Sequence, residues 1–446
     1  MPPRRTLLLL FGVAVVVRAL FVLLEPATAP VADERTWTNW AVEALVTPRV
    51  HFSPFRTHMI FYPPLYPDFI AAGYALFGSL AAVKWAQVVV SALVVPALGR
   101  VAGRAFGEAT GVVAAAIAAV YPELVWFAAH FWSETLFMAL LWWGFERLLA
   151  ADERPGTLAA CAAGSVWGLA VLTRETLFYF LPVAALWLAL GRHRAGTRKG
   201  AAFLLVALLA IAPWTYRNWV VFKAFIPVAT AGGLNLYQGN APLTRQQVYD
   251  NYEAIQGRVE QYRWARAQGI RAILDRQPWW IFEKLRDEMP NFWEADSQAV
   301  IHVKRGAYGW PVRPASAIAS AVVVLVPFLL ALVGFVSSMA LAPLGRPAWL
   351  LLAFLAYYNL IHVVTHGYAR YRLPALPVVL IFAAQAWVDR RERLGPVPGG
   401  RKALAAGVGL TLLLSVIPSL RIQFNEPAFG RALPKADVGE SPDEAQ

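Results

Sequence analysis

Apolar stretches close to the thickness of a bilayer recur along almost the whole chain, and few folds accept that pattern. Taken block by block they predict helices near 6–24, 82–102, 110–128, 131–149, 157–173, 175–190, 200–219, 315–341, 347–366, 372–388 and 403–420. A core of ordinary size does not need this much apolar material: of 446 residues, 58% are hydrophobic and 15% charged. The expected class is therefore an all-α polytopic membrane protein with about 11 transmembrane helices and interfacial helices on its outer face.

The net charge of +12 does not point to nucleic acid, because the basic residues fall in short clusters between apolar blocks. With the N-terminus inside, Arg100 and Arg104, Arg192-His193-Arg194 with Arg198-Lys199, Arg346, and Asp389-Arg390-Arg391-Glu392-Arg393 with Arg401-Lys402 all fall on the cytoplasmic side. That balance requires Pro63 to Phe77 to lie in the interface rather than span, as Pro63, Pro64, Pro67 and Asp68 at its start suggest. The single cysteine, Cys161, excludes an intrachain disulfide. The first block has a competing reading as a cleaved signal peptide, with Arg4 and Arg5 before it and Ala27-Thr28-Ala29 after it. Its length and the internal Arg18, a charge suited to burial against neighbouring helices, favour a membrane helix.

The chain then divides into a first transmembrane helix (1–24), a first outer loop with an acidic pair and an interfacial helix (25–80), a helix bundle (81–219), a large outer loop with amphipathic helices (220–314), further transmembrane helices (315–420) and a polar, mobile tail (421–446). Within the large loop, Thr244 to Asp275 reads as polar helix. Pro278 opens a second helix with Trp279, Phe282, Leu285, Met289, Phe292 and Trp293 on roughly one side, suited to the bilayer surface.

Candidate chemistry gathers on the outer side. Asp33 and Glu34, next to Arg35, place adjacent carboxylates at head-group level, where one can stay ionised and reach a hydroxyl proton; capping of a helix start explains the same residues equally well. Tyr62 and Tyr66, set among Pro63, Pro64 and Pro67, offer a sugar-binding surface or an aromatic belt. Arg174, Arg217, Arg370 and Arg372 break the charge bias by lying outside, which invites a phosphate ligand; snorkelling, or a pair with Glu175, is the bland account of each. Glu134 follows His130 by four residues, but two residues make no metal site, and a helix cap with a head-group contact suits Glu134 better. No cofactor is expected, and a divalent cation has no residue set of its own. Thr230 to Asn240, with Gly232, Gly233, Tyr237 and Gly239, reads as a loop whose backbone approaches a ligand, Tyr237 and Asn240 being its substrate candidates.

In this order the features resemble the GT-C superfamily of membrane glycosyltransferases, specifically the family 39 type that includes protein O-mannosyltransferases and bacterial lipid A aminoarabinose transferases. The resemblance runs over nearly the whole chain. It is carried by Asp33-Glu34, Pro63-Pro64-Leu65-Tyr66, Ser133-Glu134, Leu172-Thr173-Arg174, Pro213-Trp214 with Arg217-Asn218, Tyr237-Gln238-Gly239-Asn240 and Arg370-Tyr371-Arg372-Leu373-Pro374. It implies inverting transfer of a sugar from a polyprenyl-phosphate donor to a lipid, glycan or protein acceptor. The enzyme would be a multi-pass protein of the bacterial inner membrane with its site facing the periplasm. The resemblance also implies Asp33 as base and the arginines as holders of the lipid phosphate. One departure is that Phe61 and Tyr62 stand where the aminoarabinose transferases carry an acidic residue and a lysine, which argues against a lipid A acceptor. A transporter or flippase of lipid-linked saccharides is the alternative from another class, and its inverted repeats and intramembrane polar path are not visible. A non-catalytic assembly subunit is the third reading.

Overall fold

The computed structural model describes residues 1–26, 30, 33–47, 60–191, 195–294, 297–304, 306–310, 314–341, 344–389 and 399–425. The basic runs 192–194 and 390–393 and the tail beyond 425 therefore lie outside the described residues.

Every apolar block is helical. The bundle opens with α1 (Arg4–Leu24), continues through α2 (Asp33–Val46) and α3 (Leu65–Phe77), and returns through α4 (Leu80–Ala92) and α5 (Val94–Phe106). Next come α6 (Glu108–Val120) and α7 (Pro122–Ala129), bent by 48° where Pro122 interrupts the ladder. They are followed by α8 (Ser133–Glu153), α9 (Leu158–Val171), a 3₁₀ turn (Glu175–Phe180), α10 (Leu181–Ala189) and α11 (Gly196–Phe222). By length and composition α1, the run Leu80–Phe106, α11, Ile318–Ala340 and Arg346–Val364 can each cross a membrane, and the bent α6–α7 pair makes a sixth candidate. Other apolar helices, such as α9 and Glu175–Ala189, are shorter.

Two sequence features explain how the bundle closes. Gly164 and Gly168 of α9 face α11 so closely that an added Cβ would stand 2.3 Å from the Phe203 carbonyl oxygen and 2.7 Å from that of Ala207. Small residues four apart thus let two backbones touch, the usual device for helix association in lipid. Arg18 is fully buried, as expected of a charge inside α1; it donates to Ser91 Oγ at 2.9 Å, Ala119 O at 2.9 Å, Ala14 O at 3.2 Å and Ala118 O at 3.3 Å. Large aliphatic side chains such as Leu9, Leu23, Leu209, Leu330 and Val333 remain on the outside, as a lipid-facing surface requires.

The long segment between α11 and α17 is also helical: α12 (Ala231–Asn240), α13 (Arg245–Glu253), α14 (Arg258–Leu274), α15 (Trp280–Phe292) and α16 (Gln298–Lys304). Thr244 and Gln247 form a reciprocal capping box at the start of α13. On α15 the expected apolar stripe divides, with Phe292 and Trp293 buried and Trp279, Phe282 and Leu285 exposed. The chain finishes with α17 (Pro314–Leu341), α18 (Arg346–Val364), a 3₁₀ turn (Ala369–Arg372), α19 (Leu376–Asp389) and α20 (Gly399–Asn425).

The glycine-rich stretch 230–240, expected to be a loop, is α12. Its glycines serve packing: a Cβ on Gly239 would stand 1.6 Å from the Thr365 carbonyl oxygen, and one on Gly233 would stand 2.7 Å from the Tyr262 ring.

Candidate active site

Four breaks between helices deliver the charged residues to one place. Asp33 and Glu34 occupy the first turn of α2, and Ser133 and Glu134 the first turn of α8, where carboxylates complement the helix dipole. Arg174 stands in extended backbone between α9 and the following 3₁₀ turn, and Arg370 lies in the short turn before α19.

Glu134 Oε1 accepts from Arg370 Nε at 2.6 Å and lies 2.9 Å from Arg174 Nη1, so a single carboxylate oxygen holds two guanidiniums side by side. Arg370 Nη1 donates to Asp33 Oδ2 at 2.5 Å. Arg174 also donates to Ser133 Oγ at 3.3 Å. Burial works against the charge on Arg370, but Glu134 and then Asp33 outweigh it and hold the guanidinium firmly protonated. The same contest, again won by Glu134, keeps Arg174 charged. Side-chain exposure grades the quartet from floor to mouth: Glu134 1%, Arg174 14%, Arg370 18% and Asp33 33%.

Aromatic rings wall the quartet. The Arg370 guanidinium lies 3.9 Å from the centre of the Trp132 ring, and Tyr371 sits 5.8 Å from Arg370 and 5.9 Å from Arg174. Tyr368, His366 and His362 continue this wall from Tyr371 at centroid distances of 5.7, 5.6 and 5.2 Å. On the Asp33 side Tyr62 packs 4.8 Å from Trp37 and 4.6 Å from Phe61. Its position is set by the backbone, since Thr230 and Ala231 donate to the carbonyls of Ile60 and Phe61 and Leu65 donates to that of Leu172. Burial, with Asp33 as the next cause, raises the Tyr62 hydroxyl above its ordinary range, so it remains an O–H donor.

Residues 130–134 tie together four other parts of the chain. His130 Nε2 meets Glu25 Oε1 at 2.8 Å, the Phe131 N–H donates to Glu34 Oε1 at 2.6 Å, Trp132 underlies Arg370, Ser133 receives Arg174, and Glu134 bridges both arginines. Hence Glu34, although adjacent to Asp33, is buried and bonded to the link between α7 and α8. His130 is fully buried and points to Glu25, away from any pairing with Glu134. Among the described residues no group of three His, Cys, Asp or Glu could hold a metal.

The remaining candidates lie apart from the quartet. Arg372 is fully buried, donates to the Glu294 carbonyl, stands 3.4 Å from Glu123 Oε1 and covers the Phe328 ring at 4.2 Å. Arg217 lies between the rings of Trp214 and Phe222, at 4.6 and 5.0 Å, and donates to Asn218 Oδ1 at 3.0 Å. Its neighbours clamp the returning chain: Trp214 donates to Val228 O at 2.8 Å, Thr215 to Pro227 O at 2.8 Å and Asn218 to Ile226 O at 2.9 Å. Tyr66 is buried, donating to Gln87 Oε1 at 2.7 Å, and Tyr237 packs on Trp264 and receives Asn251 at 3.3 Å. Asn240 joins three elements, donating to Val364 O at 2.8 Å and accepting from Trp280 at 2.8 Å and from Arg276 through its carbonyl at 2.8 Å. Arg174 pairs with Glu134, not with the Glu175 beside it, and Glu134 meets arginines where a head-group contact was expected. Sequence reasoning missed Trp132 and Tyr371 as wall residues, although Trp132 directly precedes Ser133-Glu134 and Tyr371 stands between Arg370 and Arg372.

Residues 62–217, which include Tyr62, Glu134 and Arg174, match the family model described as dolichyl-phosphate-mannose-protein mannosyltransferase. No curated protein matches the chain by sequence. Among solved structures it is similar to the archaeal oligosaccharyltransferase AglB from Archaeoglobus fulgidus in complex with an inhibitory peptide and a dolichol-phosphate. The TM-score is 0.51 and the identity 15%, over 93% of this chain and 55% of that one. A second structure of the Archaeoglobus fulgidus oligosaccharyltransferase, in complex with Zn and sulfate, gives TM-score 0.52 and 15% identity over 93% and 53%. The chain thus corresponds to about half the length of these proteins. ArnT from Cupriavidus metallidurans bound to undecaprenyl phosphate is more distant, at TM-score 0.41 and 18% identity over 86% of this chain and 77% of that one, and does not bear on the fold. By its likeness to the two oligosaccharyltransferase structures the chain has the all-helical GT-C fold.

Proposed function

We propose that the protein is a membrane glycosyltransferase that moves a sugar from a polyprenyl-phosphate donor to an acceptor hydroxyl at the periplasmic face of the inner membrane, with inversion. The observation that carries this reading is the pair of guanidiniums held together by Glu134, with the Asp33 carboxylate against the same Arg370. Two planar cations side by side suit a phosphate, and a partly exposed carboxylate next to them suits a proton acceptor.

In the step itself the acceptor oxygen attacks the anomeric carbon, and its proton passes to Asp33. The bond from that carbon to the phosphate oxygen breaks with its electrons left on phosphate, which departs as polyprenyl phosphate with one more negative charge. Arg174 and Arg370 meet that charge as it grows, the moment at which preformed cations lower the barrier most. Tyr371 and Tyr62 supply the apolar faces and hydroxyl donors on which a sugar ring is held, and Trp132 underlies Arg370. Arg217, Arg372, Tyr66, Tyr237 and Asn240 act as structural residues in this account.

The similarity of residues 62–217 to the mannosyltransferase family model and the dolichol-phosphate in the complex of the similar oligosaccharyltransferase support a lipid-phosphate donor. The test is incubation of the purified protein with polyprenyl-phosphate sugars and total membrane extract. Formation of free polyprenyl phosphate together with a glycosylated acceptor supports the reading, and failure to consume any such donor contradicts it.

A further inference from the structure

The quartet is electrically complete as it stands, with the carboxylates of Asp33 and Glu134 against the guanidiniums of Arg174 and Arg370. A phosphate added to such a set brings negative charge that two guanidiniums already shared with two carboxylates do not balance, and the excess is relieved when it takes the place of a carboxylate. The two carboxylates are not equivalent. Glu134 is 1% exposed and bonded to both arginines through one oxygen, so its departure would leave buried charge unpaired. Asp33 is 33% exposed, stands at the mouth, and meets the quartet only through Oδ2 on Arg370 Nη1. Arg370 Nη2 makes no hydrogen bond among the described residues, so one arm of the guanidinium is already available to an incoming anion.

From this geometry we propose that the Asp33–Arg370 pair is an autoinhibitory contact, broken when the phosphate of the lipid donor displaces Asp33 from Arg370 and thereby releases the base. The inference rests on the donor reading above and adds its regulation. While Oδ2 of Asp33 accepts from Arg370 Nη1, that oxygen is engaged and is not presented to a hydroxyl at the mouth. The acceptor hydroxyl therefore finds a competent base only after the donor is seated, which sets an order of binding and protects the site from idle chemistry. The exchange deepens during the reaction: as the sugar leaves, the phosphate gains a charge while Asp33 takes up a proton and loses its claim on Arg370. Before product can depart, Asp33 must give up that proton and return to Arg370.

The test measures binding of polyprenyl phosphate, and of the uncharged polyprenol as control, to the full chain in detergent micelles. Asp33→Asn, which removes the competing charge but keeps the shape, should bind polyprenyl phosphate about tenfold tighter than the unaltered chain, the lower end of what a hydrogen bond to a charged group contributes. Polyprenol binding should not change. In an Arg370→Gln background the same Asp33→Asn change should bring no gain, because the partner of the exchange is gone. Equal or weaker phosphate binding by folded Asp33→Asn would overturn the proposal, as would a gain that persists in the Arg370→Gln background or extends to polyprenol. If the unaltered chain and Asp33→Asn both bind no polyprenyl phosphate, the donor reading falls and this inference with it. Binding without the predicted difference removes only the inference.

Discussion

Arg370 Nη1 lies 2.5 Å from Asp33 Oδ2 although 337 positions separate the two residues, so the start of α2 and the turn before α19 meet in one ion pair. Each side of that pair has its own support. Glu34, next to Asp33, is fixed to the Phe131 N–H, and Gly367, three residues before Arg370, donates its N–H to Glu288 Oε2 at 2.6 Å. Lys284 secures Glu288 in turn at 2.7 Å, and also donates to Gly239 O at 2.6 Å and Thr365 O at 2.9 Å.

Glu134 is the buried floor of the site. Replacing it with glutamine leaves Arg174 and Arg370 with one carboxylate fewer and their mutual repulsion uncompensated. Breaking a buried pair in this way costs about 3 kcal/mol at the lower end of such losses, and the partly exposed arginines place it at that end. Glu134→Gln should unfold at a clearly lower temperature in detergent and transfer little sugar. A variant with unchanged melting and activity would remove Glu134 from its bridging role.

Arg370 and Arg372 should respond differently. Arg370→Ala should abolish donor binding, with Arg370→Lys recovering it only in part because an ammonium lacks the planar fork. Arg372→Ala instead strands the buried Glu123 carboxylate and should act on stability, while the folded fraction binds donor normally. Donor-binding titrations on the folded fraction of each variant separate the two. Equal loss of binding in both would return Arg372 to the phosphate site.

Gly239→Ala tests the packing of α12. A Cβ there meets the Thr365 carbonyl oxygen at 1.6 Å, so the segment leading to Arg370 must shift. The expected result is a drop in both melting temperature and transfer rate, whereas Gly78→Ala, with open space around it but a φ of +73°, should lower stability only modestly. A Gly239→Ala protein as stable as the unaltered chain would contradict the close approach.

Topology can be read with an impermeant thiol reagent in a Cys161→Ala background. A cysteine at Gln246 should react in intact cells and one at Arg198 should not, because the positive-inside rule places the segment 220–314 outside. The reverse pattern would invert the membrane orientation.

Much of this was legible in the sequence and some of it was not, for physical reasons. Bilayer-length apolar blocks announce themselves locally, and Arg18 could be read as buried because a charge inside such a block has few other choices. The partners of Glu134, by contrast, lie 236 and 40 positions away, and nothing local favours Glu134 over the adjacent Glu175 as the partner of Arg174. Arg370 and Arg372 share a membrane side, which made them look equivalent. In a 3₁₀ helix, however, with three residues per turn, positions two apart point roughly 120° away from each other, and the two side chains enter different surroundings. The glycines of 230–240 suggested a loop because composition alone does not reveal whether a glycine serves a turn or the contact of two backbones, and Gly239 serves the contact.

The central claim is that Asp33 takes the acceptor proton beside a lipid phosphate held by Arg174 and Arg370. The most direct measurement is the single-turnover rate of sugar transfer from a polyprenyl-phosphate donor by purified, folded Asp33→Asn, with donor binding recorded on the same preparation. Asparagine keeps the shape and loses the basicity, so transfer should fall by roughly 10² to 10⁴ while donor still binds. Glu34→Gln should be milder, since Glu34 anchors α2 to the Phe131 N–H and acts on Asp33 only through position. Near-normal transfer by Asp33→Asn would contradict the account, and a Glu34→Gln variant that was the inactive one would move the base by one residue.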